Sequence, residues 1–74
     1  MDTELYNQLL ELRIEIATMK KIPTYVIFHS TSLEEMAEKK PKTIEELLEI
    51  KFVTKSKATK YGKKFLELIK DYVR

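Results

Sequence analysis

The sequence has no cysteine, a single glycine and only two prolines in 74 residues. The lack of cysteine excludes disulfide bonds and cysteine-ligated zinc. Because so few residues break helices, the composition favours helix over sheet. We therefore expect one small domain, residues 1–74, that depends on a modest apolar core.

The chain also lacks any long apolar stretch. Its longest run without a charged residue, Ile22 to Leu33, is much shorter than the ~20 residues that a transmembrane helix needs. The N-terminus has acidic residues early and no apolar segment after a basic start, so it does not resemble a signal peptide. These absences predict a soluble domain without a membrane partner. The lack of cysteine fits a reducing, intracellular compartment, so we expect a cytoplasmic protein, associated with the nucleoid if it is bacterial.

What the sequence does contain is an uneven distribution of charge. Residues 1–50 hold ten acidic and six basic side chains, a net charge of −4, and residues 51–74 hold two acidic and eight basic ones, a net charge of +6. Such a division between the two halves indicates that the C-terminal part meets an anionic partner.

Apolar periodicity and capping signals predict four clear helices and one short one. The segment "TYVIF" has strand-like composition but no partner strand, so a short buried helix or turn is favoured there. The other signals are helix N-caps, including two Ser/Thr-x-x-Glu capping boxes. The predicted helices are Thr3 to Lys20 with Asp2 or Thr3 as cap, one opened by Ser32 with Glu35, one opened by Thr43 with Glu46, and a last one from near Thr54 or Ser56 to the end.

Each predicted helix has one apolar face, which gives a candidate core. The first helix contributes Leu5, Leu9, Leu12, Ile16 and Met19. The later helices contribute Leu33, Met36, Ala37, Ile44, Leu47, Leu48, Ile50, Ala58, Tyr61, Phe65, Leu66, Leu68, Ile69 and Tyr72. Gly62 lies inside the last helix, where we expect it to permit a close approach of another helix. The fold class is therefore predicted to be all-α, a compact bundle.

Four blocks in succession resemble the HRDC domain, an accessory module of RecQ-like helicases and of RNase D. They are "LRIEIA" (12–17), "IPTYVIFHSTSLEEMA" (22–37), "PKTIEELLEI" (41–50) and "KATKYGKKFLELI" (57–69), which together span nearly the whole chain. The resemblance implies a five-helix bundle. It also implies auxiliary nucleic-acid binding or, in some members, protein docking, with catalysis in other domains.

One turn departs from the family pattern. The family usually has a Gly-x-Gly turn before the last helix, whereas "IKFVT" has Phe52 and Thr54 at those positions. Glycines there let the backbone approach phosphates closely. We therefore expect any phosphate contact in this chain to use side chains.

Six lysines and no acidic residue occur between residues 50 and 64. On a helix, Lys57, Lys60 and Lys64 fall within a sector of about 60°. Two interpretations stay open: a surface that contacts phosphates, or an ordinary solvated face. The charge division favours the first, with Lys51, Lys55 and Lys63 as further candidates.

A second candidate is "KKIPTY". Tyr25 beside Lys20 and Lys21 could stack a base while the lysines hold the backbone, as in proteins that bind single strands. The alternative is that Tyr25 packs into the core and that the two lysines merely end a helix.

Nothing in the sequence indicates catalysis. No phosphate-binding loop, nucleophile elbow or metal-ligand spacing is present. The only histidine, His29, is interpreted as a partly buried or capping residue, and Ser30, Thr31 and Ser32 as turn or cap residues. We expect no catalytic residue, no metal and no cofactor, so that the chain by itself is not an enzyme.

The resulting hypothesis is an accessory domain of a RecQ-like, ATP-dependent DNA helicase. It would be a monomer that binds single-stranded or partly opened DNA weakly and without sequence preference, close to the helicase core of its parent chain. RNA stays open as the ligand. The alternatives are a protein-docking module that uses the acidic first half or Phe52, and the corresponding domain of an RNase D-type ribonuclease.

Overall fold

A computed structural model describes residues 1–74 and contains five helices and no strand, which confirms the all-α prediction. The two long helices stand at the beginning and the end of the chain, and short ones connect them. The elements are α1 (Thr3–Lys20), α2 (Thr24–Ile27), α3 (Ser30–Lys39), α4 (Ile44–Leu47) and α5 (Lys55–Val73).

Local capping signals fix both long helices. The Asp2 side chain accepts a hydrogen bond from the backbone N–H of Leu5 at 3.1 Å, so Asp2 is the N-cap of α1. The hydroxyl of Thr54 accepts one from the N–H of Lys57 at 3.2 Å and starts α5 in the same way. Pro23 follows the end of α1 and is the N-cap position of α2, as its fixed φ and missing N–H favour.

Fifteen buried apolar residues from all five helices and their connections form the core. At its centre the rings of Phe28 and Phe65 lie edge to face, with centroids 4.9 Å apart and planes at 88°. Around this pair α1 packs on α3 and α2, and α5 packs on α4 and α1. The long helices thus lie side by side along part of their length, which creates a groove between them.

Three residues predicted for the core lie at the surface instead. Met19 is 70% exposed. Ile44 and Leu48 are also exposed. α4 ends at Leu47, so a helical periodicity carried on to Ile50 does not apply to Leu48, and only Leu47 and Ile50 of that segment are buried.

The capping box predicted at Ser32 is wrong. α3 begins at Ser30, and the preceding N-cap position is taken by His29, whose exposed side chain makes no capping hydrogen bond. Ser32 is already inside the helix and fully buried, and its hydroxyl donates to the carbonyl of Lys51 at 2.6 Å. Glu35 accepts from the N–H of Lys51 at 2.8 Å. The two side chains therefore hold a distant turn, and the buried hydroxyl finds its required hydrogen-bond partner there.

The second capping box is confirmed at its first residue. The hydroxyl of Thr43 accepts from the N–H of Glu46 at 3.1 Å. The Glu46 carboxylate accepts from the N–H of Lys42 at 2.7 Å, one residue before the cap itself. α4 is thus capped locally, although one residue out of register with the expected reciprocal pair.

Gly62 has the packing role that the sequence predicted. It is buried in α5 against α4, and a Cβ atom added there would lie 2.7 Å from Cδ2 of Leu47. That separation is too short for two carbon atoms, so a larger residue at this position would force the buried Leu47 side chain to move.

Two polar links join parts of the chain that are remote in sequence. Nη1 of the buried Arg13 donates to the carbonyl of Phe28 at 3.0 Å and lies 3.2 Å from the Ser30 hydroxyl. The hydroxyl of Tyr72 donates to Asp2 at 2.7 Å, which raises the pKa of Tyr72 to about 12 and lowers the pKa of Asp2. Together they tie α1 to the α2–α3 connection and to the end of α5.

None of the five helices is both long and apolar enough to span a lipid bilayer. The His, Asp and Glu side chains form no cluster of three or more that could bind a metal ion.

Candidate nucleic-acid interface

A groove of about 370 Å³ runs between the end of α1 and the first half of α5. Four lysines line it, and no acidic residue does. We call this the basic groove and define it by Lys20, Lys60, Lys63 and Lys64, together with Met19 and Tyr61.

Helix geometry explains how the basic groove is assembled. Lys60 and Lys64 are four residues apart and so project from the same side of α5, with Lys63 beside them. Lys20 comes from the last turn of α1, where a cation is favoured by the helix dipole, and its Nζ lies 6.0 Å from the centre of the Tyr61 ring. The exposure of Met19 has its explanation here, since this side chain forms part of the groove wall.

A second set of side chains lies where α2 and the turn before α5 meet. Nζ of Lys57 donates to the carbonyl of Tyr25 at 3.4 Å, and the rings of His29 and Phe52 lie 5.4 Å apart at 65°. Both contacts join residues 25–29 to residues 52–57. We call this set of Tyr25, His29, Phe52 and Lys57 the aromatic edge.

The structure excludes one interpretation of Tyr25, that it packs into the core. Its side chain is 62% exposed and therefore not part of the core. It lies beside Lys57, whereas the sequence grouped it with Lys20 and Lys21. Lys20 instead lies near Tyr61, and Lys21 is the exposed left-handed residue that ends α1.

Phe52 has an unusual backbone conformation for an aromatic residue. Its φ is 64°, in the left-handed region that glycine adopts without strain, and its side chain is 61% exposed. The position therefore still has the backbone shape for which a glycine was expected. The clasp of Ser32 and Glu35 on the preceding residue, Lys51, holds this shape in place.

The remaining predicted lysines occupy separate places. Lys51 lies beside Glu34, Glu35 and Glu38 in a different surface depression, away from the basic groove. Lys55 is the exposed first residue of α5. The structure thus brings Lys20, Lys60, Lys63 and Lys64 together, places Lys57 with Tyr25, and leaves Lys51 among acidic side chains.

Sequence reasoning missed His29 and Tyr61 as members of these surfaces. His29 was interpreted as partly buried or capping, but it is exposed and contacts the ring of Phe52. Its partner lies 23 positions away, and no local pattern encodes such a contact. One signal was available: an aromatic residue where a positive φ is expected is rarely accidental, and such a residue merits a search for neighbouring rings.

The chemistry available at these surfaces is binding. Lysine ammonium groups contact phosphates as point charges, and exposed rings offer faces on which bases can stack.

Comparison with known proteins agrees with this architecture. A family model described as the HRDC domain matches residues 2–69. The chain is 42% identical over 71 residues to the ATP-dependent DNA helicase RecQ of Bacillus subtilis, an alignment that covers 96% of this chain and 12% of that protein. It is 35% identical over 71 residues to the RecQ helicase of Haemophilus influenzae, again covering 96% of this chain and 12% of the helicase.

A solved structure, the RecQ HRDC domain 3 of D. radiodurans, superposes with a TM-score of 0.91 at 28% identity and covers 97% of this chain and 95% of that chain. The chain spans about an eighth of the length of the helicases that it resembles, 12% in the two bacterial relatives. The family match over residues 2–69, together with the shared five-helix fold, shows that this chain belongs to the HRDC domain family.

Proposed function

We propose that this HRDC domain is an auxiliary nucleic-acid-binding module of a RecQ-like DNA helicase. It binds single-stranded or partly opened DNA weakly and without sequence preference, through the basic groove. The similarity over 71 residues to two bacterial RecQ helicases supports the choice of parent protein. In this proposal the domain works in the cytoplasm as a monomer and contributes to DNA repair and recombination through its parent.

The observation that carries the proposal is the composition of the basic groove. Four lysines from two helices converge on one concave surface without a neutralising carboxylate. None of these lysines forms an ion pair within the chain, since the salt bridges of the molecule involve Lys39, Lys40 and Arg74. Their charges are therefore available to a polyanion, whose counterions are released on binding.

Weak binding is consistent with an accessory role. Side-chain ammonium groups on flexible stems lose rotational freedom on contact, so each phosphate contact contributes little. A domain tethered to a motor meets the same strand at high local concentration, which converts a weak contact into a useful one. In this proposal ATP hydrolysis and strand separation take place elsewhere in the parent protein.

Titration of the chain with labelled single-stranded DNA at several salt concentrations tests the proposal. If about three lysines contact phosphates, the logarithm of the association constant should fall with the logarithm of salt concentration with a slope near −2. No binding at low salt would overturn the proposal. Parallel titration with an RNA strand of the same sequence distinguishes the two nucleic acids.

A matched pair of variants locates the site. Replacing Lys60 and Lys64 by Gln should make the slope shallower by about 1.4, because two phosphate contacts are lost. Replacing Lys42 and Lys70 by Gln removes the same charge outside the groove and should leave the slope nearly unchanged. Equal effects of the two pairs would show that only net charge matters and that the basic groove is not the site.

One observation favours the second candidate, a protein-docking module. Glu34, Glu35 and Glu38 line one surface depression beside α3, with Lys39 and Lys51 as the cations there. A basic partner protein would bind this face. Charge reversal of Glu34 and Glu38 would abolish that binding, whereas binding of DNA would not weaken. An RNase D-type parent would instead be indicated by a clear preference for RNA in the titration above.

A further inference from the structure

We infer that the ring pair of Phe52 and His29 is a base-stacking platform, on which an unpaired base of single-stranded DNA lies while its phosphates contact Lys55 and Lys57. The inference rests on the proposed function and adds the aromatic edge to the basic groove as a second part of the binding surface.

The Phe52 ring contributes little to the stability of the fold. A bulky side chain at φ 64° strains the backbone, and such strain persists only where the surroundings enforce it. A buried ring would offset the strain by hydrophobic contact, but this one is 61% exposed. A free, outward-facing aromatic surface on a strained turn points to a partner outside the chain.

The turn that carries the Phe52 ring is held in position before any ligand arrives. Both polar groups of the Lys51 backbone are bound, the carbonyl by Ser32 at 2.6 Å and the N–H by Glu35 at 2.8 Å. His29 lies 5.4 Å from Phe52 at an angle of 65°, an edge-to-face arrangement that leaves ring surface uncovered. A preorganised ring loses little freedom when a base stacks on it.

The segment that carries the ring is positively charged. Lys55 and Lys57 follow Phe52 closely, and no acidic residue occurs between Glu49 and Glu67. Glu35, which reaches the same turn, is already bonded to the N–H of Lys51 and lies 4.0 Å from Nζ of Lys39. A partner that supplies both flat rings and negative charge suits this edge.

Single-stranded DNA has that combination of properties. Its bases expose their faces, whereas those of a duplex are stacked within the helix, and its phosphates follow at each nucleotide. An apolar peptide side chain would contact the ring but would supply no negative charge to Lys55 and Lys57. The neighbouring Tyr25 is 62% exposed and offers a second ring along the same edge.

The test compares two strands of equal charge on the same 74-residue chain. One is a labelled oligothymidylate, and the other is an abasic strand of the same length, which has the sugar-phosphate backbone without bases. Phe52→Gly should weaken binding of the oligothymidylate about tenfold, the scale of one stacked base, and leave binding of the abasic strand unchanged. Phe52→Trp should retain the affinity for both strands.

Phe52→Gly suits this test because glycine adopts a φ of 64° without strain. Its thermal unfolding temperature should be no lower than that of the parent chain, so weaker binding does not reflect unfolding. Ile14→Ala, which removes another exposed apolar side chain from α1, is the control and should bind both strands as the parent chain does.

Two outcomes would overturn the inference while leaving the proposed function intact. One is that the parent chain binds both strands equally well. The other is that Phe52→Gly has the same affinity as the parent chain for the oligothymidylate. Failure of the parent chain to bind either strand would overturn the proposed function as well. If Phe52→Gly left DNA binding unchanged but abolished binding to the helicase core, the ring would be a protein contact.

Discussion

Two segments of the chain have the same Ser/Thr-x-x-Glu pattern and use it differently. Thr43 and Glu46 act within one turn: the threonine hydroxyl caps α4, and the glutamate accepts from the neighbouring Lys42 N–H. Ser32 and Glu35 reach out of α3 and clasp the carbonyl and the N–H of Lys51. One pair starts a helix, and the other fixes a turn that lies 16 to 19 residues away.

The difference follows from where each hydroxyl lies. Thr43 has an extended backbone at the surface, with φ −129° and ψ 163°, and free helix N–H groups are its nearest partners. Ser32 is fully buried in the first turn of α3, and its hydroxyl faces the Lys51 carbonyl rather than the free N–H groups of its own helix. The pattern places one hydroxyl and one carboxylate near each other on a helix. Whether these groups bond within the same turn or to a remote segment depends on where the helix buries them.

Removal of the buried Ser32 hydroxyl should have the largest effect. Ser32→Ala should destabilise the fold by about 2 kcal/mol, because it leaves the Lys51 carbonyl without its partner in a partly buried place. Denaturant unfolding measures the change. Ser56→Ala removes an exposed hydroxyl and is the control, expected within about 0.5 kcal/mol of the parent chain. Equal effects at the two positions would show that the clasp contributes nothing.

The local pair should respond less. Thr43→Ala removes the cap of a short surface helix and should lower the free energy of unfolding by about 1 kcal/mol, again measured by denaturant unfolding. Binding of single-stranded DNA should not change, since this cap contacts neither the basic groove nor the aromatic edge. If Thr43→Ala lowered the free energy of unfolding more than Ser32→Ala does, the local cap would be the more stabilising of the two motifs, contrary to this prediction.

Asp2 combines a local cap with a remote contact, and its effect should be the smallest. It caps α1 and also accepts the hydroxyl proton of Tyr72, which raises the pKa of Tyr72 from 10.0 to about 12. A raised pKa stabilises the fold below the unfolded value, so this contribution should be complete below pH 10 and disappear between pH 10 and 12. At the acid end, the hydrogen bond from Tyr72 lowers the pKa of Asp2, so its contribution is lost as the pH falls below 3.8.

Thermal unfolding of the parent chain and of Tyr72→Phe across these pH ranges measures this link. The difference between the two melting temperatures isolates Tyr72 from the lysines, which titrate in the same alkaline range. The difference should shrink as the pH rises from 10 to 12. A constant difference would mean that the Tyr72 hydroxyl does not donate to Asp2 in solution.

Local signals predicted much of the fold. The bounds of α1 follow from its leucine spacing, from Asp2 before it and from Pro23 after it, and the start of α5 follows from Thr54. Periodicity alone does not show which part of an apolar face a neighbouring helix covers and which part borders a groove, which is why Met19 was expected in the core. The clasp of Ser32 on Lys51 depends on contacts far apart in the sequence, which spacing does not reveal.

The candidate site likewise contains residues that local spacing predicts and residues that only helix packing brings together. Lys60, Lys63 and Lys64 come from one helix, so their sequence positions alone predict that they lie together. Lys20 joins them from α1, and His29 meets Phe52 across the α3 and α4 segments; both depend on how the helices pack. The binding role of all these side chains stays a prediction.

The four-residue length of α2 and α4 has a consequence for dynamics. A single helical turn is not stable by itself in water, because the conformational entropy lost in forming it exceeds the stabilisation from its hydrogen bonds. Each is ordered only by the side chains that it inserts elsewhere, such as Leu47 against Gly62. Tyr25 belongs to one of these turns, and Phe52 follows the other. The aromatic edge therefore owes its order to tertiary contacts, and a bound strand that reinforces them should slow amide hydrogen exchange in both segments.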